Sequence, residues 1–230
     1  ADDQRALNIL KRTTKKVDGR FECRLLWREN VPPFPESYKM ALKRLYSVEN
    51  KMARDVEYSR EYCQKIQDYL SNGYARKVER FYLPHFGKKN VNKPGVRIVF
   101  DAAAEVQNMS LNKSLLSGPD INNSLISFLF KFREAPIAIC VDIKEMFLQI
   151  KIAKEDQESQ RFLWRNGDKD KKVEIFVMQR MIFGATCSPT VAQFVKNLNA
   201  NEFLEEAPRA AYGIIERHYV DDYVDCFQTE

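Results

Sequence analysis

The feature that most constrains this chain lies near its end, in His218-Tyr219-Val220-Asp221-Asp222-Tyr223-Val224. Aromatic and β-branched residues flank two adjacent acids. That is the pattern of two short strands joined by a tight turn with the acids at its tip. Neighbouring carboxylates repel each other, and burial makes the repulsion worse. The pair must therefore face water or a cation. One reading is a solvated Asp-Asp turn, which is the simpler reading of these residues alone. The other is a divalent-metal site for phosphoryl chemistry. Mg²⁺ takes oxygen ligands and often only one or two protein carboxylates, leaving the rest to water and phosphate.

A further acid stands in a similarly exacting place. Ile137-Ala138-Ile139-Cys140-Val141 is a nearly unbroken apolar run ending in Asp142. The run reads as a strand buried on both faces. An acid closing such a strand needs a partner, although an ordinary helix N-cap would also account for it.

The rest of the chain supplies candidate counter-charge. Residues 71–100 carry Arg76, Lys77, Arg80, Lys88, Lys89, Lys93 and Arg97 against the single acid Glu79. Tyr74, Phe81, Tyr82 and Phe86 are interleaved with them. Cations can pair with phosphates while rings stack on bases or pack inward. Val96 to Phe100 alternates as a strand, with Arg97 opposite Ile98. The loop from Lys88 to Gly95 lies between two strand-like pieces and predicts a basic hairpin. The net charge of +5 and pI near 8.8 lean mildly toward polyanionic partners.

Other segments read as scaffold. Residues 1–35 look peripheral, with a small basic cluster (Lys11, Arg12, Lys15, Lys16), a strand-like Phe21 to Trp27, and a breaker at Pro32 to Pro35. Helical spacing predicts a helix over about 37–52 and another over about 55–70, stopped at Asn72-Gly73. A third helix is expected over about 123–133, with Leu125, Phe128, Leu129 and Phe132 facing inward. Asn166-Gly167 marks a hairpin over about 161–180. Ser188-Pro189 opens a helix over about 190–204, with Ser at the cap. Gly184 allows a close backbone approach or simply a turn.

Bulk properties bound the possibilities. A chain of 230 residues, 44% hydrophobic, suffices for one large domain or two small ones. Five scattered cysteines form no CxxC pair, and the two histidines are far apart. Neither a zinc site nor a disulfide framework is expected, and a reducing, intracellular compartment fits. No apolar run approaches the ~20 residues that span a bilayer. The chain lacks an initiating Met and stops soon after the paired acids, so a piece of a longer protein is expected.

Taken in order, several blocks resemble the polymerase region of Pao/BEL-type LTR retrotransposon polyproteins, a branch of the reverse transcriptases. They are Arg97-Ile-Val-Phe-Asp-Ala-Ala-Ala, Leu111-Asn112 with Ser117-Gly-Pro-Asp120, Val141-Asp-Ile-Lys-Glu-Met-Phe147-Leu-Gln-Ile150, Phe183-Gly-Ala-Thr-Cys-Ser-Pro189 and Tyr219-Val-Asp-Asp222. The resemblance covers nearly the whole chain, and ordered blocks are more specific than one tetrapeptide.

The resemblance implies an α+β, right-hand polymerase: an antiparallel palm sheet backed by helices, plus a fingers subdomain, with the thumb missing. It divides the chain into an N-terminal extension (1–35), fingers with part of the palm (36–136), and palm (137–230). It implies RNA-directed DNA polymerisation on an RNA or DNA template, with a primer strand and dNTPs as partners. Asp142 and Asp221, assisted by Asp222, would hold two Mg²⁺ ions (Mn²⁺ also suits the ligands), with the Ile143 carbonyl as a further ligand. Arg97, with Lys88 or Lys89, would meet the triphosphate. Phe147 would be the steric gate against a ribose 2′-hydroxyl. Phe183 and Gly184 would border the nucleotide, and Tyr219 and Val220 the primer end. The family's thumb, RNase H, protease and integrase regions are not in this sequence, and the implied setting is a cytoplasmic retroelement particle. Two alternatives stand beside this reading. One is a non-catalytic nucleic-acid-binding remnant. The other is a template-directed RNA polymerase, against which the ring at Phe147 argues.

Overall fold

The computed structural model describes residues 1–30, 32, 34–77, 82–89 and 95–228. Arg80, Phe81, Lys93 and the tip of the basic hairpin lie outside these. In chain order the first half comprises α1 (Asp2–Thr13), β1 (Lys15–Val17), β2 (Arg20–Cys23), α2 (Tyr38–Arg54), α3 (Val56–Ser71), β3 (Ala75–Lys77), β4 (His85–Lys89), β5 (Val96–Phe100), α4 (Leu111–Ser114) and α5 (Leu125–Lys131). The second half comprises β6 (Ile137–Asp142), β7 (Lys151–Ile152), α6 (Lys154–Gln157), β8 (Arg161–Trp164), β9 (Glu174–Met178), α7 (Ser188–Asn201), α8 (Pro208–Glu216), β10 (His218–Tyr219) and β11 (Asp222–Phe227).

The helical spacing of α2 and α3 is realised. Leu45, Val48 and Met52 are buried on α2, and Tyr58, Tyr62, Ile66 and Tyr69 on α3. Asp55 caps α3 by accepting from the Tyr58 amide at 2.9 Å. These helices pack beside the β4–β5 hairpin and the antiparallel sheet β3-β9-β8. Between them lies an aromatic core in which the His85 ring meets Tyr62, Phe100, Phe162 and Trp164. Asn166 and Gly167 turn the β8–β9 connection with φ of +58° and +69°, as the Asn-Gly signal requires.

Several expectations need correction. The first 35 residues are not peripheral. Leu10, Cys23, Leu25 and Leu26 are completely buried in the common core. Asp156 of α6 clamps this segment by accepting from Arg24 Nε (2.7 Å), Arg24 Nη2 (2.8 Å), the Leu25 amide (2.7 Å) and Trp27 Nε1 (3.0 Å). A buried carboxylate holds there because four donors satisfy it.

The apolar run on β6 is not buried on both faces. Its sheet has the order β10-β11-β6, so β6 is an edge strand among the described residues, and Ile139 and Val141 are 42% and 54% exposed. On α5 only Phe128 is buried; Leu125 and Leu129 are exposed and Phe132 is half-buried. Ser188 does not cap α7. Cys187 takes the cap position, and the Ser188 hydroxyl donates instead to the Ile182 carbonyl at 2.7 Å.

Candidate active-site cleft

The carboxylates converge because of strand register. β6 and β11 run antiparallel with Asp142 directly opposite Asp222 and Val141 opposite Tyr223. Directly opposed residues share a face, so Asp142 and Asp222 point to one side and Val141 and Tyr223 to the other. The β10–β11 hairpin pairs Tyr219 with Asp222 and turns through Val220 and Asp221. Val220 has φ +58°, an uncommon conformation for a β-branched residue. The turn is held from both flanks. The Asp221 carbonyl accepts from the Ile143 amide at 2.9 Å, and the Val220 carbonyl accepts from Gln193 of α7 at 2.8 Å.

Carboxylate oxygens of Asp142, Asp221 and Asp222 lie within 4.8 Å of one another. Among the described residues this is the one such grouping of His, Cys, Asp and Glu. Its donors are all oxygens, half-buried on Asp221 and exposed on the other two. That donor set suits a hard divalent cation and gives a soft one no thiolate or imidazole.

Asp142 and Asp221 open onto a cleft of about 880 Å³. Arg97, Ile143, Phe147, Phe183 and Val220 line the same cleft. The Phe147 and Phe183 rings meet at 4.7 Å, and the Arg97 guanidinium lies over Phe183 at 5.0 Å. These rings form an apolar floor beside the acids, with Arg97 above it.

The remaining expected site residues divide between the two sides of the β4–β5 hairpin and contacts within the chain. In the β4–β5 register Lys88 is opposite Arg97, so Lys88 takes the Arg97 side. Lys89 takes the other side, where it pairs with Asp55 at 3.0 Å and Glu57 at 3.5 Å. Gly184 packs closely against the chain itself. At its φ of +117° an added Cβ would lie 1.9 Å from the Phe100 carbonyl oxygen. Tyr219 turns its ring toward Phe128 of α5, at 5.8 Å.

The sequence reading assigned no chemistry to α3, yet its polar face forms one wall of the cleft. Arg60, Gln64, Lys65 and Asp68 all line it. The signal was the helical repeat of charged positions opposite the buried tyrosines. Lys65 pairs with Glu145, itself at φ +53°, and the Tyr74 hydroxyl donates to the same carboxylate at 3.4 Å. These contacts fix the turn between Asp142 and Phe147. Burial pushes the Tyr69 phenol at the cleft wall far above its usual range.

No family model matches the sequence, and no curated protein matches it. Solved structures do. A foamy-virus protease–reverse transcriptase in complex with double-stranded DNA superposes with a TM-score of 0.59 at 15% identity, covering 97% of this chain and 40% of that one. A foamy-virus protease–reverse transcriptase with an RNA/DNA hybrid gives 0.54 at 19% identity, covering 90% and 23%. The protein has a reverse-transcriptase-like fold. It spans less than half the length of these structures, and at such identity the likeness is one of fold. No described helix is long and apolar enough to cross a membrane.

Proposed function

We propose that this chain is the catalytic segment of an RNA-directed DNA polymerase of the Pao/BEL retrotransposon type, a nucleotidyltransferase that extends a primer from dNTPs. The observation that carries the reading is the convergence of three carboxylates within 4.8 Å, two of which line a cleft together with Arg97 and Phe147. The cleft is lined by three cationic and five anionic side chains. A polyphosphate would be repelled from so acidic a cleft unless divalent cations entered with it. The same balance disfavours a metal-free nucleic-acid-binding remnant.

In this reading Asp142, Asp221 and Asp222, with the Ile143 carbonyl, are the groups that hold Mg²⁺ or Mn²⁺. Bound there, two such ions would acidify the primer 3′-hydroxyl and offset charge on the triphosphate. The chain's own residues position the partners. Arg97 presents a delocalised cation to the phosphates, with Lys88 on the same side of its hairpin. Phe147, in ring contact with Phe183 in the cleft, would be the steric gate whose ring excludes a ribose 2′-hydroxyl. Val220, at the turn, would face the primer end. The palm, the fingers and the complementary thumb of a longer polyprotein belong to the same proposal.

Primer extension on a primed RNA template tests it. With Mg²⁺ and dNTPs the 230-residue chain extends the primer, and Asp221→Asn lowers the rate by about 100-fold or more. Phe147→Val keeps dNTP incorporation but narrows the preference over rNTPs. Equal activity in the wild type and Asp221→Asn would overturn the catalytic assignment. No extension by this chain or by one carrying a thumb would overturn the enzyme reading.

A further inference from the structure

The carboxylate sheet has a second side. Behind it, on the face carrying Val141 and Tyr223, lies a separate cavity of about 620 Å³. Such a volume falls in the range of small-molecule sites. The sheet supplies Val141 and Tyr223, α7 supplies Ala192 and Val195, and α8 supplies Ile214. The surface is therefore mainly apolar.

Its charges are all of one sign. Arg20 and Lys196 line the cavity, and no Asp or Glu does. Arg20 is already engaged, donating to Gln149. Lys196 is half-buried on α7, and among the described residues it makes no ion pair or hydrogen bond. The carboxylate that acts on it at longer range, Glu216, is paired with Lys131 at 3.2 Å. Burial pulls the Lys196 amine down to about 8. Beside it the His218 Nδ1 is buried without a hydrogen-bond partner. A solvation-starved cation in an acid-free apolar cavity lacks one thing, an anion that brings its own apolar body.

We propose that this cavity binds an apolar organic anion, with Lys196 pairing its acid group and Val141, Val195 and Ile214 covering its body. The site is independent of the polymerase reading. It lies on the opposite face of β6 from Asp142, and none of the three carboxylates lines it, although Ile143 and Met146 border both cavities.

Calorimetric titration of the whole chain with naphthoate and its neutral analogue naphthamide separates the head group from the body. Naphthoate binds at least about 10-fold tighter, the worth of one charge-assisted pair. Lys196→Met brings the two within about 2-fold while circular dichroism and Tm stay unchanged. Ala210→Phe, at an exposed position on the cavity rim, weakens both ligands. The proposal is overturned if the two ligands bind equally to the wild type, if Lys196→Met preserves the preference, if Ala210→Phe changes neither affinity, or if neither ligand binds.

Discussion

The strands around His85 and the strand that carries Asp142 are written in similar residues and packed in opposite ways. β8, Arg161-Phe162-Leu163-Trp164, is buried at every position. β6, Ile137-Ala138-Ile139-Cys140-Val141-Asp142, is exposed at every position but the first. The difference lies in the layers around them. β8 pairs with β9 and is covered by α2 and the ring of aromatics about His85. Among the described residues β6 pairs with β11 on one edge alone, and α5 and α8 pack chiefly on β10 and β11. An apolar run sets the strand; neighbouring layers set its depth. The carboxylates occupy the region where packing leaves room for water and ions, which is where charged groups are least costly.

The contrast can be broken most decisively at its two centres. Phe162→Ala should cost about 3–5 kcal/mol in denaturant unfolding, whereas Ile139→Ala should stay near or below about 1 kcal/mol. Equal losses would mean that β6 is covered in solution.

Acid should discriminate next. Burial pulls the His85 imidazole down to about 4, and its Nε2 donates to the Leu163 carbonyl at 2.8 Å. Below pH 6.5 the unfolded chain takes up a proton that the folded chain refuses until about pH 4. Stability is therefore fully present above 6.5 and falls as pH drops through that window, by on the order of 3 kcal/mol. His85→Gln should be less stable at neutral pH yet show a shallower acid slope, measured by urea midpoints from pH 7 to 4. An unchanged slope would remove His85 as the cause.

Val220→Gly should act in the opposite direction. Relieving a left-handed β-branched residue offsets the entropy glycine adds to the unfolded chain, for a net change within about 1 kcal/mol. Primer extension should suffer more than stability, because the turn that carries Asp221 loosens. Smallest of all, Asp142→Asn removes one charge from a directly opposed like-charged pair and should raise stability by ~0.2–1 kcal/mol in metal-free buffer. Loss of stability would instead show that the carboxylate is held by favourable contacts.

Much of this was legible in the sequence where local chemistry decides the outcome. The apolar faces of α2 and α3, the start of α3 near Asp55, the Asn166-Gly167 turn and the acid-bearing hairpin all follow from spacing and turn preference. The meeting of Asp142 with Asp221 and Asp222 was reached through ordered blocks, since no periodicity predicts which strands pair. The depth of β6 and α5 was misread because burial depends on partners from distant sequence. Asp156 escaped notice because Lys154-Glu155-Asp156 looks like any solvated charge run. Its role exists only once Arg24, Leu25 and Trp27 arrive. The assignment of Ser188 failed for a related reason: its hydroxyl donates to the Ile182 carbonyl rather than accepting from an N–H of its own helix.

That clamp has a consequence for how the chain is made. Arg24 and Asp156 are 132 positions apart. At translation rates of ~5–20 residues per second, Leu25 and Leu26 emerge on the order of 10 s before the carboxylate that seats them. Until then two leucines that end up completely buried travel on a nascent chain without their anchor. The N-terminal segment should therefore dock only after residue 156 has emerged, and it needs shielding through that interval.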